Sequence, residues 1–467
     1  MELRGTQGLS YRGKTALIIG AGISGYAAAK YLAREGARVT LSDAKSEPEL
    51  EKDAETRTHI ASLRAQGISC VFGAQGEEQL AGVDLLVLSP AVPDRIPLVR
   101  SARTRGIRVT TEVELAGEVA CAPICAVTGT NGKTTTTTLL GELLRAHFPA
   151  VGVGGNIGVP LIDEALRIPA EGAIAAEISS YQMEATQYFH VHIAAELNVT
   201  PDHIVRHGSM EVYQAMKEKL FAWQTPDDFL VLNDDDPHTR GMAARAKGRV
   251  CLFSRRHALA EGAYIDGGMI VIVWDGVRHE LVPVAELGIR GGHNVENTLA
   301  AAASAFLAGV TPEEMRPVLR SFRGVEHRIE PVREIGGVPY YNDSKATNTD
   351  AAIKALEAFD GHIVLIAGGD DKMTDLTDFM RLVQERTDEL ILVGAAAERF
   401  AAAAVDAGIA PAHIHRVGYD MEAAVHLAHT LARSPQTVLL SPACASFDMY
   451  GGYEERGRDF KRIVNGL

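Results

Sequence analysis

Residues 127–136 read Val-Thr-Gly-Thr-Asn-Gly-Lys-Thr-Thr-Thr, the densest run of chemistry-bearing residues in the chain. An apolar run, Ile124 to Val127, predicts a short buried strand before it. Leu139, Leu140, Leu143 and Leu144 predict the helix after it. Strand, glycine turn and helix make the layout of a phosphate loop. Gly129 and Gly132 let backbone N–H groups approach phosphate oxygens, and the helix turns its positive end to the same place. Thr130, Asn131 and Thr135 complete the loop and the first turn. Lys133 can set a cation on the β and γ phosphates of ATP, and the Thr134 hydroxyl can ligate magnesium. The Gly-x-x-Gly-Lys-Thr spacing is two residues shorter than the common pattern. The plainer reading is an ordinary glycine-rich turn, which has no need of Lys-Thr there.

Further candidates follow the loop. The run Val151 to Gly158 reads as a glycine turn able to present Asn156 to a phosphate. Gly172 to Ala176 predicts a strand with Glu177 at its carboxyl end, where an acidic residue can bind magnesium opposite the phosphate loop. Ile193 to Val199 predicts another strand, running into Thr200-Pro201-Asp202-His203. A lone histidine is more often structural, but Thr134, Glu177 and His203 all fall at one edge of the predicted sheet. Glu211 to Gln224 predicts a helix carrying Tyr213, Lys217 and Phe221 on one stripe. Burial lowers a lysine pKa, and a neutral amine can take up carbon dioxide to give a carbamate, an anionic metal ligand. The alternative is a lysine snorkelling from a half-buried face.

A second glycine turn stands near the start. Lys14 to Ile19 predicts a strand, followed by Gly20-Ala21-Gly22-Ile23-Ser24-Gly25, the helix Tyr26 to Glu35 and the strand Arg38 to Leu41, with Asp43 beyond it. This is a dinucleotide fingerprint with its acidic residue about 20 residues on. By itself it says NAD enzyme. The same turn accepts any pyrophosphate, including that of a UDP-sugar, or none.

The elements that must position these residues are of α/β type. Length predicts about three domains: 1–113, a Rossmann-like unit with further strands at Val71–Phe72, Asp84 to Leu88 and Arg108 to Thr110; 114–324, a P-loop ATPase-like unit; and 325–467, a doubly wound Rossmann-like unit. Within the second, Val250 to Phe253, Met269 to Trp274 and Val277 to Val284 predict a small antiparallel flap beside the main sheet. Asn294 and Asn297 lie on one face where an alanine-rich helix opens, able to cap it or to hydrogen-bond an adenine. Phe322-Arg323-Gly324 reads as a hinge. The third unit has predicted strands at Pro339 to Asn342, Ile363 to Ala367, Leu390 to Val393 and Thr437 to Leu440. Polar clusters stand at their ends: Asn342 to Asn348, Gly368 to Lys372 and Ser441 to Asp448. Lys345 or Lys372 could receive a carboxylate there, where ligands bind in this architecture.

Composition narrows the classes. The chain is 46% hydrophobic and 23% charged, with a net charge of −14, which argues against nucleic-acid or anionic-membrane partners. Met1 to Lys14 lacks the apolar core of a signal peptide, and no run is long enough to span a bilayer. Five scattered cysteines suit a reducing, cytoplasmic setting with free thiols.

Taken together the motifs resemble the Mur ligase family over the whole chain. The resemblance rests on Gly-Thr-Asn-Gly-Lys-Thr at 129–134, Glu-Ile-Ser-Ser-Tyr-Gln at 177–182 and Asn-Val-Thr-Pro-Asp-His at 198–203. It continues through Tyr213-x-x-x-Lys217, His293-Asn294-x-x-Asn297, Glu326-His327-Arg328, Asn342 to Asn348 and Ser441 to Phe447. It implies an ATP-dependent amide-forming ligase of bacterial wall synthesis, working through an acyl phosphate. Gly22, Ile23, Ser24 and Asp43 would hold the uridine diphosphate of UDP-N-acetylmuramoyl-L-alanine, with Asn156 reaching its pyrophosphate or sugar. Lys133 and Thr134 would hold ATP phosphates and magnesium, two ions being expected. Glu177, His203 and carbamylated Lys217 would ligate metal, and Asn294, Asn297, His327, Arg328 and Asp343 would line the adenosine. Lys345, Thr347, Lys372, Ser446, Phe447 and Tyr453 would receive D-glutamate. Related ligases for diaminopimelate carry Asp-Asn-Pro-Arg in the acceptor loop, and Gly-Gly-Asp-Asp-Lys here favours glutamate. Tyr181 and Tyr453 stand where relatives often have Phe. A cytoplasmic monomer is the expectation. The rivals are a ligase of the same family for another amino acid or for folate polyglutamate, an NAD-dependent reductase, and a nucleotide-regulated binding protein.

Overall fold

The structure, a computed structural model, describes residues 10–467, so most of the Met1–Lys14 stretch lies outside the described residues. It contains three sheets distributed over two compact bodies. The first body runs to Glu286 and includes Glu296–Arg320; the second comprises Leu287–Val295 and Ser321–Leu467.

The first sheet holds β1 (Thr15–Ile19), β2 (Arg38–Asp43), β3 (Ser69–Phe72), β4 (Leu85–Leu88) and β5 (Arg108–Thr111). All pair in parallel, in the order β3-β2-β1-β4-β5. The chain therefore reverses direction across the sheet next to β1, at whose end the first glycine turn stands. Helix Ile23–Arg34 follows that turn. It packs close because Gly25 has no side chain: a Cβ there would overlap the Gly20 carbonyl.

The second sheet holds β6 (Ile124–Thr128), β7 (Val151–Gly155), β8 (Ala173–Glu177), β9 (Ile193–Glu196), β10 (Phe229–Asn233), β11 (Arg249–Ser254), β12 (Gly262–Asp266), β13 (Met269–Trp274) and β14 (Val277–Pro283). Their order is β14-β13-β12-β11-β10-β9-β6-β8-β7. Strands β6, β8 and β9 are buried along their whole length, as apolar strands covered on both faces must be. Two expectations need correction. Val151–Gly155 is an edge strand paired with β8, not a turn. The expected flap is continuous with the main sheet: β11 pairs in parallel with both β10 and β12, and only β12-β13-β14 is antiparallel. One apolar core joins the first two sheets, bringing Ile18, Ala27 and Leu32 together with Ile124, Ile174, Ala194 and Leu230.

In the second body β15 (Glu330–Ile335), β16 (Val338–Asn342), β17 (Ile363–Gly368), β18 (Thr387–Val393), β19 (Ile414–Arg416) and β20 (Thr437–Leu440) form a sheet ordered β15-β16-β20-β17-β18-β19. Only the β15–β16 pair is antiparallel. Apolar clusters cover both faces: Leu365, Leu390, Phe379 and Phe400 on one, Val364, Ile391, Val438 and Phe460 on the other. The three polar clusters expected to carry function follow β16, β17 and β20, the central strands.

Candidate active site

The phosphate loop leaves β6 and enters helix Lys133–Arg145. Gly132 caps that helix with φ 86°, the left-handed region that glycine adopts without strain, and a Cβ there would overlap Asn297 Oδ1. So Asn297 abuts the loop. The loop is fastened from outside by the segment after β9. Thr130 N donates to Asn198 O at 2.9 Å and Asn131 N to Asn198 Oδ1 at 2.8 Å, while Asn198 Nδ2 donates back to Asn131 O at 3.1 Å. Thr130 Oγ1 also donates to Thr200 O at 3.1 Å. Lys133 Nζ folds back onto Gly129 O and Thr130 O, both at 2.9 Å, so the ammonium stands over the loop.

Lys217 is buried, with 1% exposure, on helix Met210–Glu218. That helix is shorter than the expected Glu211–Gln224, and Phe221 packs from the turn beyond it. The Lys217 amine lies 4.7 Å from the Tyr213 ring centre, and the Tyr213 hydroxyl is 3.1 Å from Thr130 Oγ1. Burial, reinforced by the nearby Lys133 ammonium, pushes the Lys217 pKa down and favours the neutral amine. Glu196, whose charge interacts with that of Lys217, ends β9, fully buried, and neither of its carboxylate oxygens has a hydrogen-bond partner among the described residues. Burial pushes its carboxyl pKa up.

Glu177 ends β8 in register with Val127 of β6, one residue short of the strand end that feeds the loop. Its Oε1 accepts from Asn156 Nδ2 at 2.8 Å, and its Oε2 is buried with no partner. Asn156, expected at a pyrophosphate or sugar, is thus bound to Glu177 side chain to side chain and also through its N–H to the Glu177 carbonyl. Thr134 is nearly buried in the first helical turn. A buried carboxylate oxygen lacking a donor, as at Glu177, fits a hard, oxygen-loving cation such as magnesium. His203 caps helix Ile204–His207 in the left-handed region, φ 53°. The Tyr181 hydroxyl lies 3.0 Å from its Nδ1 and Asp202 3.4 Å from its Nε2. The Arg206 guanidinium lies 4.8 Å from the Tyr181 ring and forks onto Glu184 at 2.7 and 2.8 Å. His203 and Lys217 thus both neighbour Tyr213, whose ring is 6.4 Å from that of His203.

At the first glycine turn Gly22 caps the helix while Gly22 and Ile23 are exposed. Asp43 is committed to the turn itself. Its Oδ2 accepts from Ala21 N at 2.8 Å and its Oδ1 from Lys45 N at 2.9 Å.

In the second body, His327 Nδ1 is 2.9 Å from Asn342 Nδ2, and its Nε2 is buried without a hydrogen-bond partner, as is Arg328 Nε. Asp343 accepts from Ser441 Oγ at 2.8 Å and Ile329 N at 3.2 Å, and burial pushes its carboxyl up to about 7. Asn294 Nδ2 donates to Arg290 O at 2.7 Å, tying the helix start to its own approach. Glu326, His327 and Glu330 come close enough to share a cation, but Lys461 Nζ already bridges the two carboxylates at 2.7 and 2.8 Å. Among the expected acceptor residues, Lys345 Nζ lies 5.3 Å from the Tyr453 ring centre, Ser446 is buried, and Phe447 and Lys372 are exposed. Arg399 forks onto Asp371 at 2.6 and 2.7 Å and so anchors the loop that bears Lys372.

Sequence reasoning missed three of these residues. Asn198 lay inside a quoted motif at a strand end, which was the available signal. Glu196, an acid inside an apolar strand, was a weaker one. Nothing local marks Arg399.

Comparison with known proteins bears on the whole length. The profile of the "Mur ligase MurD-like, N-terminal domain" matches residues 14–111, that of the "Mur ligase middle domain" 127–305, and that of the "Mur ligase, glutamate ligase domain" 327–444. A UDP-N-acetylmuramoylalanine--D-glutamate ligase of Pelotomaculum thermopropionicum is 46% identical over 97% of this chain and 98% of its own. Its namesake from Acidobacterium capsulatum is 44% identical over 98% and 97%. The solved UDP-N-acetylmuramate-alanine ligase of Thermotoga maritima shares the fold, with TM-score 0.57, 19% identity and 97% and 99% coverage. The likeness spans all three sheets and both glycine turns, and the chain belongs to the Mur ligase family.

Proposed function

We propose that this protein is an ATP-dependent ligase joining D-glutamate to UDP-N-acetylmuramoyl-L-alanine in peptidoglycan precursor synthesis. The observation that carries the reading is the identity of 41–46% over nearly the whole chain to relatives of that name. The pinned phosphate loop is the physical counterpart, and it leaves the NAD reductase reading without a use for Lys133. Three parts divide the work: 1–113 for the UDP-sugar, 114–324 for ATP and 325–467 for the amino acid.

The substrate carboxylate attacks the γ-phosphorus of ATP, ADP leaves, and an acyl phosphate forms. The D-glutamate amine then attacks the acyl carbon; phosphate leaves, and the amine gives up a proton. Several anions must meet, so the task is charge neutralisation. Lys133 serves as the phosphate cation, and the loop N–H groups cradle the phosphates. Thr134, Glu177 and His203 are the proposed holders of magnesium, which when bound supplies charge neutralisation. Lys217, dry and favouring its neutral form, is suited to take up carbon dioxide and lose a proton, giving the carbamate that completes the set. Asn294, Asn297, His327, Arg328 and Asp343 would hold the adenosine. Lys345, Thr347, Lys372, Ser446, Phe447 and Tyr453 would hold D-glutamate. No helix among the described residues is long and apolar enough to cross a membrane, and we place the work in the cytoplasm, by a monomer.

The test is phosphate release across a panel of amino-acid acceptors with UDP-N-acetylmuramoyl-L-alanine and, separately, a folate. Release only with the UDP-sugar and D-glutamate together is the expected result. Release with another acceptor, or none with any, overturns the assignment.

A further inference from the structure

Arg456, on helix Tyr453–Gly466, is the largest side chain among the described residues with almost no exposure, at 1%. Among the described residues it forms no ion pair. Its guanidinium instead makes four hydrogen bonds, all to two loops: Nε to Ser344 Oγ at 3.0 Å, Nη2 to Ser344 O at 2.8 Å, Nη2 to Cys444 O at 3.1 Å and Nη1 to Ala445 O at 3.0 Å. Ser344 Oγ donates onward to Tyr453 O at 2.8 Å. A third loop closes against the same group. A Cβ at Gly369 would stand 3.0 Å from Arg456 Nη1 and would overlap the Ala445 carbonyl, while Asp370 N donates to Ala445 O at 3.0 Å.

The guanidinium therefore sits where the loops after β16, β17 and β20 meet. Ser344 precedes Lys345, Ala445 precedes Ser446, and Gly369 lies three residues before Lys372. A buried, unpaired cation is costly, and burial lowers its pKa to about 10. A planar fork with several donors satisfies carbonyls on separate loops at once, which a lysine ammonium cannot match in geometry.

We propose that Arg456 is a positioning residue for the acceptor amino acid, holding the three strand-end loops at the mutual spacing that the acceptor pocket requires. This rests on the reading of Lys345, Thr347, Lys372, Ser446 and Tyr453 as the acceptor site. Fixing those groups before binding spares the incoming amino acid the cost of ordering them.

The experiment is steady-state kinetics of Arg456→Lys, varying each substrate in turn, with melting temperature alongside. The expected result is a KM for D-glutamate raised about tenfold or more, with the KM values for ATP and the UDP-substrate within about twofold of wild type. An unchanged KM for D-glutamate, or a common rise in all three, overturns the proposal. Should Arg456→Lys show no cooperative melt, Ser344→Ala carries the test, because it removes the Nε acceptor and the link to Tyr453. The same rise is then expected, and its absence is equally decisive. If wild type uses a different amino acid, the functional reading fails by itself, and the variants are scored on that amino acid.

Discussion

Lys217 concentrates the residue-scale argument. A lysine this deeply buried, with an aromatic face beside it and no hydrogen-bond acceptor among the described residues, is poorly suited to carry a permanent charge. Its depressed pKa follows from desolvation first and from Lys133 second. Lys217→Ala is therefore expected to lose activity by about 100-fold or more, the usual cost of removing a charge-stabilising group from such a site. A short carboxylic acid should restore part of it by replacing the carbamate; restoration by bicarbonate alone would contradict the carbamate role. The pairing of Tyr213 with Lys217 was legible from spacing, because helical periodicity puts them on one face, whereas Phe221 lies in the turn past the helix end. The buried Glu196 was not legible, because its significance depends on what a neighbouring element lays over the strand.

At the scale of elements, distant partners fix the loops proposed to do the chemistry. The phosphate loop is tied to Asn198, 67 residues further on, and Ser344 to Arg456, 112 residues away. Local pattern carries no trace of such pairings. The strands themselves were legible where an apolar run stands between turns, as in β6, β8 and β17. Val151–Gly155 was missed because three glycines in five residues read as a turn, and the parallel pairing of β11 because hydrophobic alternation does not encode strand direction. A second inter-element tie offers a prediction. Glu112 opens helix Glu112–Val119, and its Oε1 accepts from Ile162 N at 2.7 Å, joining the end of the first sheet to helix Leu161–Arg167. Its Oε2 is buried without a partner, and burial raises its pKa from 4.5 to about 7. The folded state thus keeps a proton that the unfolded chain releases, so this group's contribution to stability falls as pH rises from about 4.5 through about 7. Glu112→Gln keeps an acceptor and removes the titration. Its melting temperature relative to wild type is expected to increase from about pH 5 to about pH 8. A difference that stays flat or falls with pH would contradict it.

For the whole molecule the proposed division of labour follows the sheets. Two glycine turns, at the ends of β1 and β6, belong to one body with a shared core, and the loops proposed to receive the amino acid belong to the other. Family membership accounts for the arrangement. Tyr181, whose hydroxyl lies 3.0 Å from His203 Nδ1, and Tyr453, whose ring centre lies 5.3 Å from Lys345 Nζ, leave the order of motifs unaltered. The central claim is that ATP spends its γ-phosphoryl group on the carboxylate of the UDP-bound substrate, and isotope transfer tests it directly. UDP-N-acetylmuramoyl-L-alanine labelled with oxygen-18 in its terminal carboxylate is turned over with ATP and D-glutamate, and the released phosphate is weighed by mass spectrometry. The account predicts one labelled oxygen in each phosphate. Unlabelled phosphate, the mark of attack by water, would contradict it.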